Sequence, residues 1–213
     1  MYIHNECNCE GPCLMSLKLE FCFDFVSPMS YFAFHKLKGL KERTGCDVEY
    51  IPVSLQQIMV ETGNRPPGTV EAKRNFYFAD TIRHAKRYNL PWGFNPNFPM
   101  KTFRLLCMAQ GLMATDQAQD FMKTIFHHSW GEPRNVGDKA VMWDLLSADG
   151  FDADKLYAMS DDQVIKDRVK ANTDRAIARG MFGAPTFFVG DELYFGQDRM
   201  DFVEDALTAR AWV

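Results

Sequence analysis

The segment Ser27-Pro28-Met29-Ser30 places two hydroxyl side chains three positions apart, directly after the apolar run EFCFDFV. Serine before proline commonly begins a helix, because the hydroxyl accepts a hydrogen bond from a first-turn N–H and proline has no N–H to leave unpaired. The same unpaired N–H groups also favour a bound anion. Ser27 is therefore a candidate helix cap and a candidate anion-stabilising residue, and this segment alone leaves both interpretations open.

The residues around Ser27 predict a strand, a helix and a second strand. Residues 17–26 are largely apolar, as in a strand that is covered on both faces. After Pro28, apolar residues recur every three or four positions until Gly45, which is typical of an amphipathic helix. Residues 47–53 (DVEYIPV) form the second predicted strand. This order predicts a parallel pair of strands joined by a right-handed crossover.

The end of the chain predicts a helix, two strands and a last helix. A charged helix runs through VIKDRVKANTDRAIARG to Gly180, residues 186–189 and 192–195 form a hairpin, and DRMDFVEDALTAR forms the closing helix. Between the two ends, residues 54–160 contain helical segments and no alternating β-branched run. We therefore expect one α/β domain made of residues 17–53 and 161–213, with residues 54–160 as a helical insertion and a ligand-binding cleft between them.

Composition restricts the class of function. The chain has 213 residues, 46% of them hydrophobic, and a net charge of -4, so it can bury a large core and offers no broad basic surface for nucleic acid. It has no apolar run of about 20 residues, and its first residues are too polar for a signal peptide. We expect a cytoplasmic protein without a membrane segment, which acts on small molecules or contacts other proteins.

Three of the six cysteines, Cys7, Cys9 and Cys13, lie in the first 13 residues. Thiolates bind soft metals, but C-x-C-x3-C is not a usual zinc spacing and no matching Cys/His pair follows nearby. We interpret residues 1–16 as a flexible leader and expect no metal site. A reducing cytoplasm also argues against structural disulfides.

Four sequence blocks together resemble a known family: FDFVSPMSYFAF, TGNRPPG followed by Lys73, FGAPTFFVGDE, and FGQDRM. Residues 17–207 resemble the 2-hydroxychromene-2-carboxylate isomerases and the related kappa-class glutathione transferases. The resemblance implies a thioredoxin-like fold with a large all-helical insertion, glutathione as cofactor, a small aromatic substrate and a homodimer. Redox members of this fold carry Cys-x-x-Cys where this chain has Ser27 to Ser30, so dithiol exchange by the motif is excluded.

The resemblance assigns Ser27 to the activation of the glutathione thiol. Lowering a thiol pKa by about two units requires about 2.7 kcal/mol. A hydrogen bond to a charged group contributes about 1.5 to 3 kcal/mol, and a helix dipole adds about 0.3 to 1 kcal/mol. A hydroxyl at a helix N-terminus can therefore be both cap and catalyst.

Further glutathione contacts are implied by the same resemblance. Pro185 matches the cis-proline of the fold, which would turn the backbone of Ala184 toward the peptide part of glutathione. At the last helix, the side chain or backbone amide of Gln197 would hold the γ-glutamyl carboxylate, and Asp198 would hold the ammonium group or cap the helix. The remaining implied contacts are Pro28 and Met29 beside Ser27, Asn64 in TGNRPPG, and Lys73.

The loop around residues 92–99 resembles the substrate-side loop of the isomerases. Trp92, Asn95 and Phe98 are candidate substrate contacts, with packing and turn formation as the alternative. We interpret His127, His128 and Trp130 as packing residues. Three functions remain open: a glutathione-dependent isomerase that forms trans-o-hydroxybenzylidenepyruvate, a kappa-class-like transferase, and a non-catalytic binding protein. Glutathione titration and product analysis would separate them.

Overall fold

The computed structural model describes residues 18–210, so the leader with Cys7, Cys9 and Cys13 lies outside the described residues. The described part contains four strands, nine α-helices, two 3-10 turns and a π-helical turn. In chain order they are β1 (Lys18–Phe23), α1 (Pro28–Thr44), β2 (Asp47–Pro52), α2 (Leu55–Thr62), a 3-10 turn (Pro67–Thr69), α3 (Glu71–Tyr88), α4 (Phe103–Leu112), α5 (Ala118–Phe126), the π-helical turn (His127–Gly131), α6 (Lys139–Ala148), α7 (Ala153–Asp161), α8 (Gln163–Ala178), β3 (Thr186–Val189), β4 (Glu192–Phe195), a 3-10 turn (Gln197–Arg199) and α9 (Met200–Arg210).

The strands form one mixed sheet in the order β2-β1-β3-β4. β1 and β2 are parallel, with Lys18 opposite Asp47 and Phe23 opposite Pro52. β3 is antiparallel to β1 and to β4. The strand-helix-strand start and the C-terminal hairpin predicted from sequence are confirmed. Gly180, which follows α8, has φ 91°, a left-handed conformation that glycine adopts without the penalty of a side chain.

β1 is shorter than predicted because the chain turns at Asp24. The Asp24 carboxylate accepts a hydrogen bond from Val26 N (3.1 Å), and the Asp24 backbone carbonyl accepts one from Ser27 N (3.0 Å). These local bonds replace the strand ladder over residues 24–26. The turn ends directly at the start of α1.

Both faces of the sheet are covered. One face packs against α1, α9 and helices of the central segment, including the buried rings of Phe121 and Phe126. The other face packs against α2 and α8 through Ile58 and Ala176. Burying one large apolar side chain contributes about 1.5 to 3 kcal/mol, which explains why the strands are apolar on both faces. Between β2 and α8 the described chain forms helices and no strand, so the thioredoxin-like fold with a helical insertion is confirmed.

Residues 18–210 contain neither a membrane-spanning helix nor a cluster of metal-binding side chains. None of the helices there has the length and apolar character needed to cross a bilayer. In the same range, no group of three or more His, Cys, Asp or Glu side chains is arranged to hold a metal ion.

Candidate active site

Ser27 is the N-cap of α1 and is only 4% exposed. Its Oγ accepts a hydrogen bond from Ser30 N (3.2 Å) and donates one to the carbonyl oxygen of Ala184 (2.9 Å). The cap that the Ser-Pro pair predicts is therefore present. Its second bond joins the start of α1 to a loop 157 positions away in sequence.

The neighbours of Ser27 in α1 have distinct environments. Pro28 is buried at the first position of the helix, and Met29 is half-buried against the main core. Ser30 is fully buried, and its Oγ has no hydrogen-bond partner within the described chain. Ser30 thus contributes its backbone N–H to Ser27, while its hydroxyl contributes no bond.

Ala184 and Pro185 lie opposite Ser27, and the peptide bond between them is cis, as the sequence predicted. Ala184 is half-buried. Its carbonyl accepts the Ser27 bond, and its N–H has no acceptor among residues 18–210. The Pro185 carbonyl accepts a hydrogen bond from Gly196 N (3.0 Å). This bond places residues Gly196 to Asp198, called here the 196–198 turn, beside the same loop.

Asn64 is connected to this loop from the other side. Its Nδ2 donates to the carbonyl oxygen of Phe182 (2.7 Å), two positions before Ala184, and its Oδ1 accepts from Arg65 N (2.8 Å). Lys73 is exposed in the first turn of α3 and forms no hydrogen bond or ion pair with another described residue. A hydrogen bond therefore connects Asn64 to the loop that contains Ala184 and Pro185. No hydrogen bond connects Lys73 to that loop within the described residues.

The side chain of Gln197 is not available to a ligand, because it is 2% exposed and bonded within the protein. Its Oε1 accepts from the Tyr88 hydroxyl (3.1 Å), and its Nε2 lies 2.8 Å from His84 Nε2. Of the two contacts expected at Gln197, these bonds disfavour the one through the side chain. The N–H groups of Gln197 and Asp198 have no acceptor in the described part of the chain, so the alternative contact through backbone amides is open.

Asp198 does not act as a helix cap. Gly196 is the N-cap residue of the 3-10 turn, and no side chain caps that turn. The exposed carboxylate of Asp198 instead pairs with Arg199 (2.7 Å). Gly196 has φ 100°, and a Cβ there would lie 2.5 Å from Asp198 Oδ1, so the turn requires glycine.

The loop after α3 brings several aromatic rings close to the end of β1. Trp130 is fully buried, and its Nε1 donates to the carbonyl oxygen of Phe25 (2.8 Å), two positions before Ser27. Trp92 stacks on Trp130 with 5.6 Å between ring centroids and 9° between planes. The ring centroids of Phe94 and Phe98 lie 6.1 and 5.9 Å from that of the Trp130 indole, and both side chains are about 40% exposed.

Asn95, in the same loop, braces the backbone. It is fully buried, donates to the carbonyl oxygens of Ser129 (3.1 Å) and Arg134 (2.8 Å), and accepts from Asn97 N (3.0 Å). Since both ends of its side-chain amide are bonded within the protein, the structure favours turn formation over the substrate contact at Asn95. A buried amide with every bond made has the turn-forming role that was the alternative.

Asp24 is a residue of this region that the sequence reasoning missed. It is 2% exposed, and its carboxylate accepts hydrogen bonds from Val26 N, Leu55 N (2.9 Å) and Thr102 Oγ1 (2.6 Å). Burial raises the pKa of this carboxyl, and the three hydrogen bonds act in the opposite direction. Asp24 thereby ties the turn before Ser27 to the first residue of α2 and the residue before α4. The only local signal was a charge inside an apolar strand.

Two open cavities, of about 590 and 750 Å³, lie elsewhere. The first is lined by residues such as Lys123, His127 and Asp149, and the second lies along β2 with Lys41 and Tyr50. Neither cavity includes a predicted site residue in its lining. The candidate site is instead formed by the turns around Ser27, Ala184 and Gly196.

Comparison with known proteins identifies relatives of this chain and its fold. The family described as "DSBA-like thioredoxin domain" matches residues 18–208. The chain belongs to the DsbA-like thioredoxin family. It is 33% identical to a 2-hydroxychromene-2-carboxylate isomerase of Sphingobium xenophagum over 195 residues, which cover 91% of this chain and 99% of that protein. It is 27% identical to glutathione S-transferase kappa 1 of Caenorhabditis elegans, over 89% of this chain and 90% of that protein.

A solved 2-hydroxychromene-2-carboxylate isomerase structure superposes on this DsbA-like chain with a TM-score of 0.81 and 27% identity, covering 91% of this chain and 95% of that one. The resemblance drawn from the four sequence blocks is therefore confirmed. Within the DsbA-like family this chain has serine at both ends of its Ser-Pro-Met-Ser motif. A site without thiols needs its sulfur from a ligand if it is to do thiol chemistry.

Proposed function

We propose that this protein is a glutathione-dependent isomerase that interconverts 2-hydroxychromene-2-carboxylate-like aromatic compounds and trans-o-hydroxybenzylidenepyruvates. The observation that carries the proposal is the Ser27 hydroxyl at the N-terminus of α1, 2.9 Å from the Ala184 carbonyl. The site thus combines a hydroxyl, helix-terminal N–H groups and an open backbone edge. The isomerases and kappa-class transferases among its relatives support this chemistry.

The polar groups of the site fit a tripeptide thiol. The Ala184 N–H lacks an acceptor and its carbonyl faces Ser27, so the cysteine residue of glutathione can pair with both groups as a strand would. The free N–H groups of Gln197 and Asp198 suit the α-carboxylate of a γ-glutamyl group, and the Asp198 carboxylate suits its ammonium. The hydrogen bond from Gly196 N to the Pro185 carbonyl oxygen joins the two segments that carry these groups.

Ser27 can change its hydrogen-bond partner when a peptide binds. The Ser27 hydroxyl donates its hydrogen bond to the Ala184 carbonyl oxygen. The same oxygen would accept a hydrogen bond from the N–H of the cysteine residue of glutathione. Once that carbonyl has a new donor, the Ser27 hydroxyl can rotate and donate to a sulfur anion, while Ser30 N–H continues to hold Ser27 Oγ. A hydroxyl and a helix N-terminus together stabilise the anion by about 2 to 4 kcal/mol. When bound, glutathione supplies a thiolate that adds reversibly to the conjugated substrate and is released after bond rotation.

The aromatic rings beside β1 suit the organic substrate. Phe94 and Phe98 are partly exposed over Trp130, whose indole is fixed by its bond to the Phe25 carbonyl. Planar rings stack favourably on such faces and lose water in doing so. These residues therefore supply the substrate side of the proposed site, and Trp92 stacks on the Trp130 indole.

Two measurements test the proposed function. Calorimetric titration with glutathione should give saturable binding to one site per chain, and an absence of binding would contradict the proposal. Product analysis with glutathione and a hydroxychromene carboxylate should show the trans-benzylidenepyruvate with the glutathione concentration unchanged. Stoichiometric loss of glutathione into a conjugate would instead identify a transferase, the activity named for the kappa-class relatives.

A further inference from the structure

A partly buried polar network, with the buried side chain of Gln197 at its centre, contacts the 196–198 turn. Lys36 of α1 donates from Nζ to the carbonyl oxygen of Gln197 (2.7 Å) and lies 3.5 Å from Gln197 Oε1. Tyr88 and His84 of α3 bond the other side of the same Gln197 amide, and His84 Nε2 also lies 3.1 Å from Asp80 Oδ2. Lys36 Nζ lies 5.0 Å from the centre of the Tyr88 ring. The network therefore connects one short turn to two helices.

The Lys36 bond determines where a ligand-facing amide points. The carbonyl oxygen of Gln197 and the N–H of Asp198 belong to one planar trans peptide unit, so they point in opposite directions. Lys36 holds the carbonyl oxygen toward the protein, and the Asp198 N–H is consequently directed away from it. That N–H has no acceptor in the described chain. The orientation of the free amide is therefore coupled to Lys36.

The side chain of Gln197 secures the same peptide unit. It is buried, and a buried amide that lost its partners would cost about as much as a lost hydrogen bond. Tyr88 and His84 hold it from α3, while Gly196, at φ 100°, allows the chain to enter the turn. The turn is thus held from both sides before any ligand arrives, which lowers the entropic cost of binding.

We propose that Lys36, together with Tyr88, is a positioning group that makes the 196–198 turn selective for the γ-glutamyl end of glutathione. This inference rests on the proposed function and extends it to ligand selectivity. Lys36 acts through the Gln197–Asp198 peptide unit and needs no contact with the ligand. Its loss should weaken ligands that carry a γ-glutamyl group and spare those that lack it.

The test compares glutathione with cysteinylglycine, which lacks the γ-glutamyl group, by calorimetric titration of four proteins. The first is the parent chain, and the second is Lys36→Met, which keeps the apolar stem and removes the donor. The third is Tyr88→Phe, which removes one hydroxyl. The fourth, Lys38→Met, is a control because Lys38 is exposed on the same helix and forms no hydrogen bond or ion pair with another described residue.

Lys36→Met should raise the dissociation constant for glutathione about tenfold, the effect of one lost charge-assisted bond, and that for cysteinylglycine by less than about twofold. Tyr88→Phe should weaken glutathione binding about threefold with the same selectivity, and Lys38→Met should change neither ligand. Equal losses for both ligands, or unchanged glutathione affinity, would overturn the inference. Tyr88→Phe decides it if Lys36→Met does not fold. A parent chain that binds no glutathione would overturn the proposed function itself.

Discussion

The hydroxyl of Ser27 donates a 2.9 Å hydrogen bond to the carbonyl oxygen of Ala184, beside cis-Pro185. One side chain thus caps α1 and closes the contact between that helix and the loop before β3. The same carbonyl oxygen is the expected hydrogen-bond partner of a bound peptide. A bound peptide can therefore replace Ser27 as the donor and free the Ser27 hydroxyl to donate to another acceptor. The effects of changes at Ser27 on stability and on turnover should therefore be separable.

Ser27→Ala should retain the fold and lose most of the proposed activity. The lost cap should reduce the free energy of unfolding by about 1 to 2 kcal/mol, measured by urea denaturation. The lost hydrogen bond to the thiolate should slow turnover about tenfold or more at neutral pH. Ser54→Ala is the matched control, since Ser54 caps α2 in the same way, with Gln57 N at 3.3 Å. Undiminished turnover in Ser27→Ala would exclude the catalytic role.

Ser27→Cys should produce a thiol with a pKa below its ordinary value near 8.5. The first-turn N–H groups of α1, including Ser30 N, stabilise a thiolate at this position. The pH dependence of alkylation, followed by mass spectrometry on the peptide that contains residue 27, gives this pKa. A midpoint at or above 8.5 would argue against anion stabilisation by the α1 N-terminus.

The Ser27→Cys variant should not form a disulfide with position 30, which is serine. Adding Ser30→Cys restores the Cys-x-x-Cys spacing and should permit a bond between positions 27 and 30. Peptide mapping after mild oxidation measures both outcomes. The double variant is the positive control for the geometry at the start of α1, and its failure to form the bond would contradict that geometry.

Phe98→Ala should weaken the aromatic substrate and leave glutathione unaffected. Phe98 is 41% exposed over the Trp130 indole, so its loss removes one exposed ring face. We expect KM for the aromatic substrate to rise about fivefold, in line with the stacking contribution of an aromatic pair. Phe202→Ala, at an exposed position on α9, is the control and should change neither ligand. A rise in the glutathione dissociation constant, with KM for the aromatic substrate unchanged, would contradict the assignment of Phe98 to the aromatic substrate.

The stability of the protein should fall as the pH drops from about 6.5 to about 4, partly because of His35. Burial, followed by the charges of Lys123 and His127, lowers the pKa of His35 from 6.5 to about 4. Between these values the unfolded chain binds a proton that the native protein does not, so acid favours unfolding in this range. His35→Gln should flatten the dependence of the free energy of unfolding on pH in this window. Urea titrations at several pH values test this, and an unaltered slope would contradict the assignment.

Short-range patterns in the sequence predicted the framework of the site. The Ser27 cap depends on a bond between residues three apart, and the apolar strands depend on their own alternation and saturation, so both are visible locally. The four sequence blocks also indicated the family, and the resemblance that they carry implied the cis bond before Pro185. These features require no knowledge of how distant segments pack.

Gln197 and Asn95 show what only the tertiary structure decided. The family resemblance implied a ligand contact at both residues, with turn formation as the alternative at Asn95. Packing buries them instead: Gln197 contacts Lys36, 161 positions away, and Asn95 bonds the backbone of a π-helical turn 34 positions away. Asp24 and Trp130 acquire their roles in the same way. A polar group enters the interior only when distant donors and acceptors satisfy it, and those partners are brought together by the fold and not by the local sequence.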